Sequence, residues 1–556
     1  EQYSFETENA ILHKAGPVRA ASIQVYSFTR LAEAVFREEG GFAGRRLTDG
    51  GRRILMSSAI AASEDHLEVY AGAARSGRIS DLMLTAVNEM KLCAISPKQL
   101  AETAEMIGGR GLGKKLSELA LIYGAYEALV EASYLDSRDD LTRLADRLET
   151  SDFFEGATVA VDSFEGFTAQ EIRVLEQILR RAETVLFSLC TDGLPEDGTG
   201  LFALVNRTRY RLQRLAEEHG VRELPPVLLT GAPRFRNENL KLLEAQLFCA
   251  SEMLMSEDAH GIHVFSAKDV FEESEYVAAT IRRLVESGGY RYRDFSVICR
   301  MPERYFGYLD VALQKREIPC FVSEPARVDA EPVMRFVLGA FEAVQSGFAT
   351  DPLLEMLKTG VSGFSAEEIS QLENYAFLWK VKGGAWREEF VRHPRGFGQE
   401  FTEEDQETLN RLIQPLSRFA ARIRDASGEE ISEAVFSMLE AFQMEKNLPA
   451  YCAELEAAGE NSLAAKQLRV WELLMEVLDQ MHSILGRRKV ARERYYSLLK
   501  EVIAGEDVSE IPQTVDEVIF GTPEQVRQSA PKIVFLIGAV QGEFPLVPKS
   551  TGVFSD

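Results

Sequence analysis

The spacing of hydrophobic and polar positions changes period several times along this chain, and each change marks an element. Residues 4–14 carry a helical spacing, 22–27 alternate like a strand, and helical spacing resumes over 28–39. Residues 52–150 are almost wholly helical, with Gly/Ser/Asp breaks near 76–80, 108–113 and 133–140. Short apolar runs then take over. They predict a strand over 157–162, a helix over 169–182, a strand over 184–190, a helix over 201–219 and a strand over 227–230. A polar connection over 231–260 leads to a second alternation. Here the spacing predicts strands at 262–266, 295–300 and 320–323, with helices at 272–287 and 302–316. Helix returns from 331 to about 504, and an apolar strand at 532–538 closes the pattern. Alternating β and α elements imply parallel sheets with crossover helices. The fold class read from this is α/β: two parallel-sheet units, each interrupted by a large α-helical insertion.

Composition narrows the class. The chain has 556 residues, 46% hydrophobic and 27% charged, which suits several soluble cores and excludes a disordered or collagen-like chain. No run reaches the ~18 apolar residues of a membrane span. The 62 basic and 87 acidic residues leave a formal charge of −25, which argues against a protein coated in nucleic acid. Net charge does not decide local patches, however. Residues 11–60 hold eight basic residues against four acidic ones, with Tyr26, Phe28 and Phe36 interleaved. That mixture suits a single nucleic-acid strand, and it equally suits an amphipathic helix with a solvated face. Residues 351–510, with 19 basic and 29 acidic residues, carry much of the acidity. The six cysteines are scattered, with no C-x-x-C, so reduced cytosolic thiols are expected rather than a disulfide or zinc framework. The start at Glu1 and the stop at Asp556 read as cuts in a longer protein.

Several motifs invite chemistry and lose it on inspection. Residues 108–115 (GGRGLGKK) match G-x-x-x-x-G-K, but Lys115 stands where a phosphate loop needs Ser or Thr, and the preceding segment is helical. A turn between helices is the better reading. Residues 371–375 (QLENY) fit a nuclease-like Q-x-x-x-Y without its carboxylate partners, so they read as a helix face. His260 and His263 lack a further ligand and read as a strand entry. More informative is 159–167 (VAVDSFEGF): an apolar strand ends in Asp162, where nucleotide hydrolases place a Mg²⁺-orienting acid. A working ATPase normally has a water-polarising Glu beside it, and here that position is Ser163. Phe164 and Phe167 just beyond the strand could stack on bases or cap the core. Arg300 ends another strand, where phosphate-sensing residues and surface ion pairs both occur.

Taken together, these segments resemble the B subunit of the AddAB (RexAB) helicase–nuclease, within the UvrD-type helicases. Residues 1–5 (EQYSF), 25–31 (VYSFTRL), 161–170 (VDSFEGFTAQ), 372–386 (LENYAFLWKVKGGAW) and 535–545 (FLIGAVQGEFP) carry the likeness from end to end. The resemblance implies two RecA-like domains, degenerate as motors. The first would occupy 1–58 and 153–255 around an insertion at 59–152. The second would occupy 256–348 and 513–556 around an insertion at 349–512. It implies that a P-loop strand and an iron–sulfur nuclease domain lie outside this segment. The segment itself would then hold no cofactor and no catalytic residue, while the longer protein would use Mg²⁺, an iron–sulfur cluster and, as a further candidate, ATP. Residues 515–532 lack the string of helicase motif V, and Asp162, Ser163 and Arg300 would be a vestigial nucleotide site. The family's positions for reading the Chi sequence on the 3′-ended strand transfer to Gln2, Ser4, Phe28, Arg30 and Phe164. Glu33 departs, standing where some members carry an aromatic. The implied partners are an AddA-type subunit and single-stranded or duplex-end DNA, with no membrane, in the cytoplasm. An active DNA-dependent ATPase and a pure scaffold for the partner subunit and nuclease are the alternatives.

Overall fold

The computed structural model describes residues 2–72, 79–108, 111–191, 200–229, 235–248, 260–322, 328–391, 403–506, 516–526 and 531–546. Helix dominates, and the strands form small sheets that are parallel throughout. Arg45–Arg46 (β1) pairs with Tyr134–Leu135 (β2). Thr158–Val161 (β3) pairs in register with Thr184–Phe187 (β4). Phe295–Ile298 (β5), Cys320–Val322 (β6), Val518–Gly521 (β7) and Ile533–Leu536 (β8) form one sheet in the order β6-β7-β5-β8. An α/β architecture is thus present in a helix-rich chain. Among the described residues, no helix is long and apolar enough to cross a membrane.

Four apolar cores organise the elements. Beside β3–β4, the Phe28–Glu39, Asp140–Leu148, Ala169–Arg181 and Ala203–Glu218 helices bury one stripe each. Leu31, Ala32, Val35 and Phe36 show the stripe on the first of them, at the spacing that keeps one helix face inward. Beside the second sheet, the Val270–Glu286 helix packs on β5 and β8. The other two cores are helical. One joins the Ser80–Leu92, Pro97–Ile107 and Leu112–Ser133 helices, and the other gathers most of 328–506. Capping fixes where these helices begin. Ser27, Thr48, Thr168, Ser365 and Ser427 each accept a backbone N–H of the first turn, worth about 1 kcal/mol apiece.

The Asp49–Ser63 helix belongs to both helical cores. Leu55, Met56, Ala59 and Ile60 enter the first, while Ile54 is buried in the second. Polar contacts reinforce the second side. The Gly50 N–H donates to Glu506 Oε1 at 2.9 Å, and Thr48 Oγ1 donates to Gln480 Oε1 at 2.7 Å. Within the first core lies a buried ionic group. Lys91 Nζ stands 3.0 Å from Asp136, 2.6 Å from Asp139 and 2.9 Å from Glu127, and Arg52 Nε is 3.0 Å from Asp136. Tyr126 donates to the same Asp136 carboxylate at 2.9 Å. Burial works against the charged form of Asp136, but Lys91 and Arg52 outweigh it and hold the carboxyl below its usual range. At Asp139 and Glu127 burial wins over Lys91, and both carboxyls rise.

Some expected elements differ. Residues 22–27, 227–229 and 262–266 run irregularly with no strand ladder. Val227, Leu229 and Val264 are instead exposed apolar side chains. The helix expected at 302–316 is a short 3₁₀ turn followed by Leu309–Gln314. Strand β7 was not expected and lies inside the second sheet. Around 108–115, helices flank the described residues on both sides, as a turn between helices requires. In the Ala366–Trp379 helix, Leu372 and Tyr375 of the Q-x-x-x-Y stretch are buried core, while Phe377 and Leu378 are exposed.

Candidate nucleic-acid interface

Two distant segments meet at the carboxyl end of β3. Ser27 caps the Phe28–Glu39 helix, accepting the Arg30 N–H at 3.2 Å, and so sets Phe28 at the helix entrance. After β3 the chain turns at Asp162 and Ser163, where Ser163 adopts a left-handed φ of 70°. That turn delivers Phe164, whose ring centroid lies 5.6 Å from that of Phe28 at 74°. Phe167 lies 5.1 Å from Phe164 and 6.3 Å from Phe28, and Phe187 of β4 closes the group at 6.5 Å from Phe167. Phe28, Phe167 and Phe187 lean on the apolar core, whereas Phe164 is not among its members. The two readings of these aromatics therefore divide between them. Phe28 and Phe167 cap the core, and Phe164 is a part-buried ring outside that core, held by its two aromatic neighbours. Loops at the carboxyl ends of parallel strands are where such sheets bind ligands.

The cations around this group come partly from where they were expected. Arg30 is half-exposed and pairs with Glu8 of the Gln2–Ala15 helix at 3.6 Å. Gln2 and Ser4 belong to that helix by backbone, and their side chains lie outside the described residues. Much of the basic stretch at 11–60 is committed internally. Arg52 is buried on Asp136, Arg53 sits 2.9 Å from Asp81, and Arg46 pairs with Asp140 and, at 3.8 Å, with Glu33. Glu33 is thereby an ion-pair partner rather than part of the aromatic group.

A second source of positive charge was not anticipated from the sequence. The Ala203–Glu218 helix presents Arg207, Arg211 and Arg214 at i, i+4 and i+7, all exposed, with exposed Tyr210 beside them. Its buried Thr208 donates to the Glu165 carbonyl at 2.8 Å, and Arg211 reaches the Phe167 carbonyl at 3.5 Å. The helix is thus fastened to the very loop that carries Phe164. The signal was present as the string RTRYRLQR, which carries an arginine face within a helix that follows β4.

The residues expected at a vestigial nucleotide site follow strands of two different sheets. Asp162 is exposed and accepts from Ser188 at the end of β4 and from Ser163 at 3.3 Å. Arg300 follows β5 in the other sheet and pairs with Glu524. Asp162 thus offers a single exposed carboxylate just beyond β3. The described cysteines do not assemble either: Cys93 and Cys190 are exposed, Cys299 and Cys452 are buried, and none joins a ligand group. They do not fit an iron–sulfur cluster. His260 and His263 are exposed on an irregular segment, and the His260 carbonyl accepts from Asn237 and Asn239.

Comparison with known proteins gives one consistent result. Residues 1–244 match the family model described as ADDB, N-terminal. The full chain aligns with the B subunit of ATP-dependent helicase/deoxyribonuclease from several bacteria. Identity is 30% to the protein of Thermoanaerobacter sp. (strain X514), covering 100% of this chain and 50% of that one. It is 29% to that of Caldanaerobacter subterraneus subsp. tengcongensis, covering 100% and 49%. It is 27% to that of Clostridium novyi (strain NT), again covering 100% and 49%. The chain spans about half the length of the curated relatives it matches.

Proposed function

We propose a role for a chain that belongs, by these matches, with the B subunits of ATP-dependent helicase/deoxyribonuclease: it is the strand-holding, motor-like half of such a subunit. In this reading the two parallel-sheet units are RecA-like domains that no longer turn over ATP. The 3′-ended single strand runs past the carboxyl end of β3, and a Chi sequence is read there by Phe28, Arg30 and Phe164 together with Gln2 and Ser4. The observation that carries it is the meeting of Phe28 and Phe164, from two segments far apart in sequence, beside the arginine face of the Ala203–Glu218 helix. Aromatic rings flanked by cations are what an unpaired strand needs: a π-face for a base and charge for the phosphates. Ser163 in place of a Glu supports the loss of hydrolysis. The partner in this proposal is an A-type helicase–nuclease subunit, and Mg²⁺ and iron–sulfur chemistry belong to the longer assembly in the cytoplasm.

Fluorescence anisotropy with labelled single strands tests the reading. Phe164→Ala should weaken binding by about 1–3 kcal/mol, the usual value of one base–aromatic stack. A library of short sequences should show a preference that the same variant flattens. Unchanged binding by Phe164→Ala and Arg30→Ala together would reject this face and favour a scaffold role. DNA-stimulated ATP hydrolysis abolished by Asp162→Ala in the full-length subunit would favour an active motor instead.

A further inference from the structure

We propose that Glu429, Glu433 and His482 form a Zn²⁺ site that pins the start of the Gly428–Ala441 helix to the end of the Asn461–Leu485 helix. Glu429 and Glu433 are one turn apart on the first helix, and His482 lies in the last turn of the second. The His482 Nε2 atom stands 3.8 Å from Glu429 Oε1 and 3.8 Å from Glu433 Oε1, and the three atoms lie within 4.8 Å of one another. A charge-assisted contact would close to about 2.7–2.9 Å. Ligand atoms at Zn²⁺ bond lengths in tetrahedral geometry stand roughly 3.4 Å apart. The spacing is therefore nearer to donors around a common centre than to an ion pair drawn into contact.

The other oxygen of each carboxylate has an arginine nearby. Glu429 Oε2 is 3.8 Å from Arg487 Nε, and Glu433 Oε2 is 3.6 Å from the Arg422 guanidinium. Each arginine stands beyond hydrogen-bond distance of its carboxylate and adds a positive charge beside it. The same two positive charges weaken the hold on a cation, so micromolar rather than nanomolar affinity follows. The backbone beneath is fixed. The Gly428 N–H donates to the Arg488 carbonyl at 3.0 Å, and the Glu429 N–H donates to the Gly486 carbonyl at 2.9 Å. A Cβ on Gly428 would lie 2.2 Å from the Leu485 Cβ, so the helices approach there without a spacer. One imidazole and two carboxylates suit Zn²⁺, with water completing the shell. Mg²⁺ and Ca²⁺ prefer oxygen ligands alone.

The full chain is titrated calorimetrically with ZnCl₂ beside His482→Ala and Glu433→Gln. Wild type should show one micromolar site that both variants weaken at least about tenfold, with no matching signal from MgCl₂. Zn²⁺ at a hundred times its Kd should shift the wild-type unfolding equilibrium about 100-fold, and the variants' far less. Both side chains are at least part-exposed, so circular dichroism should confirm folding of each variant. If one misfolds, the other carries the test. Absence of a wild-type site at about 1 mM ZnCl₂ overturns the proposal. So does Zn²⁺ binding that both variants retain, which would point to the exposed thiols of Cys93 and Cys190.

Discussion

Replacing Lys91 with Met is a demanding test of the buried ionic group. The side chain is 2% exposed, and its ammonium faces three carboxylates, of which Asp136 is 0% exposed. Removing one member of a buried pair typically costs about 3–5 kcal/mol, because its partner stays charged in a dry place. Here Asp136 keeps Arg52 at 3.0 Å and the Tyr126 hydroxyl at 2.9 Å, so it is not orphaned. That places the expected cost at the lower end, about 3 kcal/mol. Asp139 and Glu127 lose their cation and rise further above the usual carboxylate range. A carboxyl whose folded pKa exceeds its unfolded one binds more protons in the folded state, so stability is regained as pH falls. The Lys91→Met penalty should therefore shrink between pH 7.5 and 5.5. Wild type behaves oppositely at Asp136: its depressed pKa contributes stability above the unfolded value and loses it as pH falls through the folded one. Hydrogen exchange read on peptides of the Asp49–Ser63, Ser80–Leu92 and Leu112–Ser133 helices is the appropriate assay. The three tryptophans, at 379, 386 and 471, all lie elsewhere. A loss of 3 kcal/mol corresponds to about a hundredfold faster exchange. A penalty below about 1 kcal/mol, unchanged with pH, would show that water screens the group and would refute the argument.

Three further outcomes follow from the geometry. Arg207→Ala with Arg211→Ala should flatten the salt dependence of single-strand binding, lowering the log–log slope by about 1.4 if each meets one phosphate. Gly50→Val should lower the exchange protection of both helical cores at once, because even a Cβ at Gly50 would lie 2.5 Å from Val502 Cγ1; loss confined to one core would contradict the sharing of the Asp49–Ser63 helix. Thiol labelling at pH 8 should modify Cys93 and Cys190 quickly and Cys299 and Cys320 slowly, since burial pushes the last two up to about 12. Mass mapping of the labelled peptides checks it.

What could be read in the sequence divides along physical lines. Helices were legible because their pattern is local: the 28–39 stripe needs only neighbours within a few residues, whereas its Ser27 cap was read as the end of a strand. Strands were legible where an apolar run ends beside a partner, as at β3, β4, β5 and β8. The runs at 227–229 and 262–266 have the same composition but no ladder, since a strand exists only through pairing and pairing is not written in one segment. Strand β7 escaped because 515–532 was read for a motif it lacks rather than for the run Val518–Gly521 that it holds. In the candidate site, Phe28 and Phe164 were legible from the resemblance, and the structure sets them side by side. The fate of Arg46, Arg52 and Arg53 was not, because a count of charges cannot tell a solvated arginine from one spent on a carboxylate. The arginine face at 207–214 was passed over because its helix was read only as one step of a βα alternation.

The double membership of the Asp49–Ser63 helix has a mechanical consequence. A load on one helical block is passed to the elements packed against it. With Leu55 and Met56 locked in one core and Ile54 in the other, this helix works as a tie-beam. A pull on either helical block is shared by its neighbour through packed side chains, with no loop in the load path. Two helical cores separated by nearly two hundred residues of chain then resist as one frame.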